Sequence, residues 1–122
     1  LSLIAGGVEG HRITEVAGLV DHVLTGMVKT PTTQTLTGAG AVDIVSAITH
    51  IVTTAANALT LADGAEGQHK FIVMKTDGGD ATLTPTSPGN FATIVFDAVG
   101  DSAQLLFTNG KWHWMGGTAT LT

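Results

Sequence analysis

From residue 57 to the end, short apolar and β-branched runs alternate with clusters of Gly, Asp and Asn, and this alternation constrains the fold most. Such runs predict β-strands, and the clusters between them predict turns. The pair Asn109-Gly110 is the most specific turn signal, because both residues tolerate the positive φ of a two-residue type I′ hairpin. We therefore predict that 103–108 and 111–115 pair as an antiparallel hairpin. The other predicted strands are 58–62, 70–76, 81–85 and 91–97.

Two of these runs, 71–74 and 91–96, are apolar on both alternating faces. Successive side chains of a strand point to opposite faces, so Phe71 and Val73 share one face and Ile72 and Met74 share the other. Neither face is polar. Strands of this kind are typically covered on both sides by a second sheet or a neighbouring subunit. We therefore expect an oligomer, with three chains as the expected number.

The first part of the chain is less regular. The run 41–54 is rich in Val, Ile and Thr and predicts one bent strand or two, whereas 30–37 is polar and predicts an extended arm or edge. Residues 1–29 fit a helix or two strands equally well. The predicted fold is all-β: an antiparallel β-sandwich or jelly-roll-like domain over 35–122, with an extended N-terminal arm or accessory segment over 1–34. We expect this arm to contact a neighbouring subunit or a larger surface.

Composition excludes several functions. The chain has 122 residues and a formal net charge of −5, so the basic footprint of a nucleic-acid-binding protein is missing. No apolar run approaches the ~20 residues of a membrane span, and residues 1–7 lack the pattern of an export signal. There are no cysteines, hence no disulfides or thiolate ligands. We expect a folded, soluble domain that binds neither nucleic acid nor membranes.

No residues show the spacing of a catalytic or metal site. The five histidines, at positions 11, 22, 50, 69 and 113, form no zinc motif. His50 has one alternative interpretation, a metal or pH-sensing site on a symmetry axis. The run 77–80, Asp-Gly-Gly-Asp, lacks the ligand spacing of a calcium loop and is predicted to be a turn. The serines lie in no nucleophile motif. We predict neither cofactor nor metal and no enzymatic activity.

Trp112 and Trp114 lie two residues apart and are predicted to share one side of a strand. Paired indoles could stack on a sugar ring, which makes carbohydrate binding one hypothesis. The competing and favoured interpretation is that the two tryptophans, with Phe107 across the hairpin, anchor a core or a subunit contact.

Three stretches resemble small virion proteins of tailed bacteriophages. They read A-L-T-L-A-D-G-A-E-G-Q-H-K at 58–70, F-I-V-M-K-T-D-G-G-D-A-T-L-T-P-T at 71–86, and I-V-F-D-A-V-G-D-S-A-Q-L-L-F-T-N-G-K-W-H-W-M-G-G-T-A-T-L at 94–121. The resemblance covers about 30–122 and implies an all-β, usually oligomeric domain without enzymatic activity. The turn positions that it matches are Asp63, Gly64, Glu66, Gly67, Gln68, Gly100, Asp101, Ser102, Asn109, Gly110 and Trp112.

The resemblance implies a capsid decoration (cement) protein, a homotrimer on the outer surface of a phage head that binds the major capsid protein and stabilises contacts between capsomers. The alternative is a module of a tail fibre, or a receptor- or carbohydrate-binding module of the virion. The small size of the chain, with no fibre shaft, favours decoration.

Overall fold

The computed structural model describes residues 25–27, 29–30 and 32–122. Within them the chain is all-β and contains no helix. Most of the predicted arm, 1–34, therefore lies outside the described residues. This includes nearly all of 1–29, for which the sequence predicted a helix or two strands equally well. The strands are β1 (Thr33–Thr37), β2 (Gly40–Val42), β3 (Ile48–Val52), β4 (Asn57–Leu61), β5 (Gln68–Thr76), β6 (Ala81–Pro85), β7 (Ile94–Phe96), β8 (Ser102–Thr108), β9 (Lys111–Gly117) and β10 (Thr120–Leu121).

These strands form two five-stranded sheets. Sheet A has the order β1-β3-β5-β8-β9, and sheet B has the order β10-β7-β6-β4-β2. From β1 to β6 the chain alternates between the sheets, so each pair β1–β2, β3–β4 and β5–β6 forms one coil of a short solenoid. The last four strands close this stack: β7 pairs with β6, and β8 pairs with β5. The predicted two-sheet, all-β architecture is confirmed.

Strand direction differs from the prediction in the first half of the fold. The pairings β1–β3, β3–β5, β2–β4 and β4–β6 are parallel, whereas those that involve β7 to β10 are antiparallel. An antiparallel sandwich or jelly roll is therefore the wrong description of the coils. The physical reason is that two neighbouring strands of one sheet are connected through a strand of the other sheet. The chain therefore enters both neighbouring strands from the same end, and they run parallel.

Most predicted strand positions agree with the structure within two residues. The segment 81–85 is identical to β6, and 41–54 contains β2 and β3, which belong to different sheets. The run 91–97 is shortened to Ile94–Phe96, because Ala92 and Thr93 donate their backbone N–H groups to the carbonyl of Thr122 instead of continuing the ladder. The polar segment 30–37 contributes β1, an edge strand of sheet A.

The core lies between the sheets and is formed by alternate residues of every long strand. In β3, Thr49 and Ile51 are buried while Ile48, His50 and Val52 are only half-buried. Strands β5 and β8 show the same alternation. The largest buried side chains include Trp112, Lys70, Phe96, Ile51, Leu59, Leu61, Ile72, Met74, Leu83, Ile94 and Leu105.

The turns at one end of the coils stack directly on one another. The carbonyl of Val52 accepts a hydrogen bond from the N–H of Gly38 (2.9 Å), and the hydroxyl of Thr53 accepts one from the N–H of Gly78 (2.8 Å). A Cβ atom on Gly78 would lie 2.4 Å from the carbonyl oxygen of Thr53. The sequence Asp77-Gly78-Gly79-Asp80 is therefore the turn between β5 and β6, as its turn interpretation predicted, and it stacks on the corresponding turn of the preceding coil.

The hairpin at Asn109-Gly110 is confirmed. Asn109 has φ 53° and Gly110 has φ 73°, and Thr108 pairs with Lys111 across the turn. Both central residues thus adopt the left-handed conformation of a type I′ turn.

Replacing Gly110 with valine is expected to lower the free energy of unfolding by more than about 1 kcal/mol, because a β-branched residue resists positive φ. Chemical denaturation measures this loss. Asn109→Gly, which keeps the left-handed conformation accessible, serves as the control and should lose less. Equal stabilities of Gly110→Val and the unmodified protein would contradict the turn assignment.

Gly78→Ala tests the close packing of the coils. The added methyl group has to displace backbone atoms of Thr53, and we expect a loss of about 2 kcal/mol in unfolding free energy. Thr54→Ala, at an exposed position in the facing turn, should change stability by less than about 0.5 kcal/mol. Thermal melts of the two variants that coincide would show that the turns are not in contact.

Candidate interaction surface

The turn between β4 and β5 is docked on the β8–β9 hairpin. The N–H of Gly67 donates to the carbonyl of Phe107 (2.8 Å), and the carboxylate of Glu66 accepts a hydrogen bond from the N–H of Asn109 (3.0 Å). A Cβ atom on Gly64 would lie 2.8 Å from the Trp112 ring. The matched positions of the first turn, Gly64 and Glu66, are thus in direct contact with the matched hairpin positions Trp112 and Asn109.

Gln68 connects this turn to the preceding coil. Its side-chain oxygen accepts a hydrogen bond from the N–H of Ala65 (2.9 Å), and its amide nitrogen donates to the carbonyl of Ile44 (2.6 Å). Gln68, which the resemblance places in this turn, thus satisfies one backbone group of the turn itself and one of the neighbouring coil. Asp63 is exposed.

Hydrogen bonds hold Glu66 in its charged form. The hydroxyl of Thr108 and the N–H of Asn109 lower the pKa of the Glu66 carboxyl below its ordinary value. The contact between this turn and the hairpin therefore persists at neutral pH. It weakens as the pH falls through the lowered pKa, because protonation removes the charge that these donors stabilise.

The turn before β8 is organised by Asp101. Its carboxylate accepts hydrogen bonds from the N–H groups of Asp97 (2.9 Å) and Ala98 (3.1 Å), and Gly100, with φ 92°, donates its N–H to Met74 (2.9 Å). The hydrogen bond with Asp101, followed by the negative charge of that group, raises the pKa of the Asp97 carboxyl. The predicted turn residues Gly100 and Asp101 are therefore structural, as is Ser102, whose carbonyl accepts from Thr118 and Ala119.

Trp112 is a core residue and not part of an exposed platform. Its side chain is 0% exposed, its ring packs edge-on against Phe107 with centroids 5.1 Å apart, and its indole N–H donates to the carbonyl of Ala62 (2.8 Å). Trp114 is half-buried and packs against the same core. The paired sugar-stacking surface predicted as one alternative is therefore absent at these two residues, whereas the interpretation of Trp112 as a core anchor agrees with its burial.

A buried lysine was missed by the sequence reasoning. Lys70 lies on the inward face of β5 with 0% exposure, where it donates to the carbonyl of Ser46 (2.6 Å) and forms an ion pair with Asp43 (3.5 Å). The available signal was the alternation of β5 itself, since Lys70 shares a face with Ile72 and Met74. The coil turn 43–47 is thereby tied to β5.

The ionisation of this pair reflects its surroundings. Burial lowers the pKa of the Lys70 ammonium, while the charge of Asp43 opposes the shift. Partial burial raises the pKa of the Asp43 carboxyl, but the N–H of Ser46, the charge of Lys70 and the N–H of Val45 outweigh that effect and leave it below the ordinary value. Stability from Asp43 is therefore present above its ordinary pKa and is lost as the pH falls through the lowered one.

The exteriors of the two sheets differ in character. The outward positions of sheet A carry a group of large apolar side chains that we term the apolar stripe: Ile48, Val52, Phe71, Val73 and Leu106. Phe71 is 38% exposed, and the other four are half-buried. The outward positions of sheet B carry mainly small side chains: Ala41, Ala58, Thr60, Thr82, Thr84, Val95 and Thr120.

His50, His69 and His113 also lie on the exterior of sheet A. Buried Nε2 of His113 has no hydrogen-bond partner, and the ring abuts Gly89. Among the described residues no three His, Asp or Glu side chains are grouped closely enough to hold a metal ion. His11 and His22 lie outside the described residues, and the symmetry-axis interpretation of His50 stays a prediction.

Within the described part of the chain, no helix has the length and apolar character needed to cross a membrane. The sequence matches no protein-family model and no curated protein. The resemblance to phage virion proteins therefore stays a prediction from the sequence.

Tryptophan fluorescence distinguishes the two indole environments. In Trp114→Phe, the remaining Trp112 should emit at shorter wavelength and be quenched less by acrylamide than Trp114 in the Trp112→Phe variant, because Trp112 is fully buried. Trp112→Phe should also lose about 1–3 kcal/mol of stability through the lost hydrogen bond and packing. Equal quenching in two folded variants would contradict the burial of Trp112.

A double-mutant cycle tests the Lys70–Asp43 pair. Asp43→Asn keeps a side-chain oxygen for the turn but leaves the buried ammonium without its counter-charge, and we expect a loss of about 1–2 kcal/mol, moderated because Asp43 is 36% exposed. In a Lys70→Met background the same change should cost little. If the effects of the two substitutions on the unfolding free energy add without a coupling energy, the ion pair is excluded.

Proposed function

We propose that this protein is a capsid decoration (cement) protein of a tailed bacteriophage, which binds the major capsid protein on the outer head surface and stabilises contacts between capsomers without enzymatic activity. The observation that carries the proposal is the sequence resemblance over about 30–122. The matched residues Glu66, Asn109 and Trp112 join the turn between β4 and β5 to the hairpin. Gln68 joins that turn to the preceding coil. A motif composed of such contacts specifies a scaffold, which fits a function performed by binding.

The arrangement of the fold supports this function. The turns of all three coils are joined by backbone and side-chain hydrogen bonds, and the closing hairpin is anchored through Trp112. A domain cross-braced in this way can hold neighbouring capsomers at a set spacing, because its exposed faces keep a constant geometry. At ~25 cal/mol per Å² of apolar area, contacts of a few hundred Å² repeated over a capsid give a substantial gross stabilisation before the costs of association.

Location in the virion tests the proposal. An antibody against the protein should label the heads of purified virions of the encoding phage, and mass spectrometry should detect a number of copies in fixed proportion to the major capsid protein. Label confined to tails would favour the alternative, a tail-fibre or receptor-binding module. Absence from the virion would contradict both.

We also propose that the protein is a homotrimer, which the resemblance implies. Light scattering coupled to size-exclusion chromatography should then give a mass of about 37 kDa, three times the 12.4 kDa chain. The mass should stay constant over a tenfold dilution at micromolar concentration. A stable species of 12.4 kDa over that range would contradict the trimer.

A further inference from the structure

The apolar stripe on sheet A spans three strands, with His50, His69 and Gln104 at neighbouring outward positions. The registers place Ile48 beside Phe71 and His50 beside Val73. On the other side of β5, Phe71 lies beside Gln104. Lys75 follows Val73 on the same outward face of β5 and is the charged residue at one end of the stripe, whereas the corresponding exterior of sheet B is mostly threonine and alanine. Sheet A therefore presents a concentration of large apolar side chains on its exterior, of the kind that a protein often covers.

The described chain enters the sandwich at this stripe. Lys29 and Thr30, which precede β1, line a shallow cavity together with Ile48 and Phe71. Residues 1–24 therefore connect, through only a few residues, to the part of the chain that already contacts the stripe. The sequence of that segment supplies apolar side chains: Leu1, Leu3, Ile4, Val8, Ile13, Val16, Leu19, Val20, Val23 and Leu24.

We propose that residues 1–24 cover the apolar stripe of the same copy. Length does not limit this arrangement: even at a helical rise of ~1.5 Å per residue the segment would span roughly 36 Å. The stripe runs from the level of His69, opposite Leu106, to that of Thr76, opposite Val52, so it extends about 23 Å along the strands and about 15 Å across them. A tethered segment also has a high effective concentration at the stripe, on the order of millimolar.

The size of the stripe favours this occupant over a second copy. Two stripes of these dimensions placed face to face would bury on the order of 500–700 Å², well below the ~1,200 Å² at the lower limit of stable interfaces. The tethered segment needs no association step. It also differs from the arm predicted from the sequence, which reaches a neighbouring subunit, and it leaves the contacts of a trimer to other surfaces.

Thiol accessibility in the full chain tests the proposal, since the protein has no native cysteine. Gln104→Cys places a thiol beside Phe71 at the stripe, and Thr84→Cys places a matched thiol on the exposed exterior of sheet B. With Ellman's reagent, the thiol at 104 should react about tenfold more slowly than the thiol at 84. A second set of chains carries Val16→Asp, Val20→Asp and Val23→Asp. In that background the rate at 104 should rise to that at 84.

The control adds the same charge without removing apolar side chains, by Thr14→Asp, Gly18→Asp and His22→Asp, and should leave the rate at 104 low. Equal rates at 104 and 84 in the otherwise unmodified chain would overturn the proposal. Protection at 104 that is unaffected by the valine substitutions and increases with protein concentration would identify a second copy as the occupant, and would also overturn it.

A measurement with an unaltered segment removes any dependence on the folding of the aspartate variants. A nitroxide attached at position 104 should broaden NMR signals of residues 1–24, and a nitroxide at position 84 should not. The broadening should persist when the labelled chain is diluted with unlabelled chain, because it arises within one copy. Absent broadening, or broadening that disappears on dilution, would refute the proposal, whereas location of the protein in the virion bears only on the proposed function.

Discussion

The burial of Trp112 connects the two halves of this fold. The indole N–H is bonded to Ala62 in the turn between β4 and β5, and the backbone of the same residue exchanges hydrogen bonds with Ser87 and Gly89 after β6. One residue of the closing hairpin thus holds the turns that follow the second and third coils. The indole lies so close to Gly64 that a Cβ atom at this position would be 2.8 Å from the ring. The β5–β8 and β6–β7 ladders and the hydrogen bonds of Glu66 and Gly67 to the hairpin also join the parallel coils to the antiparallel closure.

Polar side chains perform a related task between the coils. Gln68 reaches back to Ile44, Lys70 to Ser46 and Asp43, and Thr53 receives the N–H of Gly78. Burying an ammonium is costly unless it is paired and hydrogen-bonded. Lys70 therefore ties the turn 43–47 to β5 in a specific arrangement. These contacts give the turns of successive coils a defined position.

The two sheets differ in the side chains that they expose on their outer faces. Threonine and alanine on sheet B are compatible with water, whereas sheet A carries the apolar stripe. Lys29 and Thr30 lie beside Ile48 and Phe71 of that stripe. Under the proposed cover by residues 1–24, the apolar second face of β5, which predicted an oligomer from the sequence, is satisfied within one copy. The proposed contacts with neighbouring copies and with a capsid would then use the remaining faces.

The sequence by itself determined the local elements: the Asn109-Gly110 turn, the glycine and aspartate turns, and most strand positions, because positive φ and alternating apolar residues are properties of adjacent residues. Only the tertiary structure decided that successive strands enter different sheets, which makes the first pairings parallel. The alternation of buried and exposed side chains within β3 or β5 would be the same whether the neighbouring strand ran parallel or antiparallel. Only the tertiary structure decided the hydrogen-bond partners of the buried residues Lys70 and Trp112, because Ser46 and Ala62 lie 24 and 50 residues away in sequence.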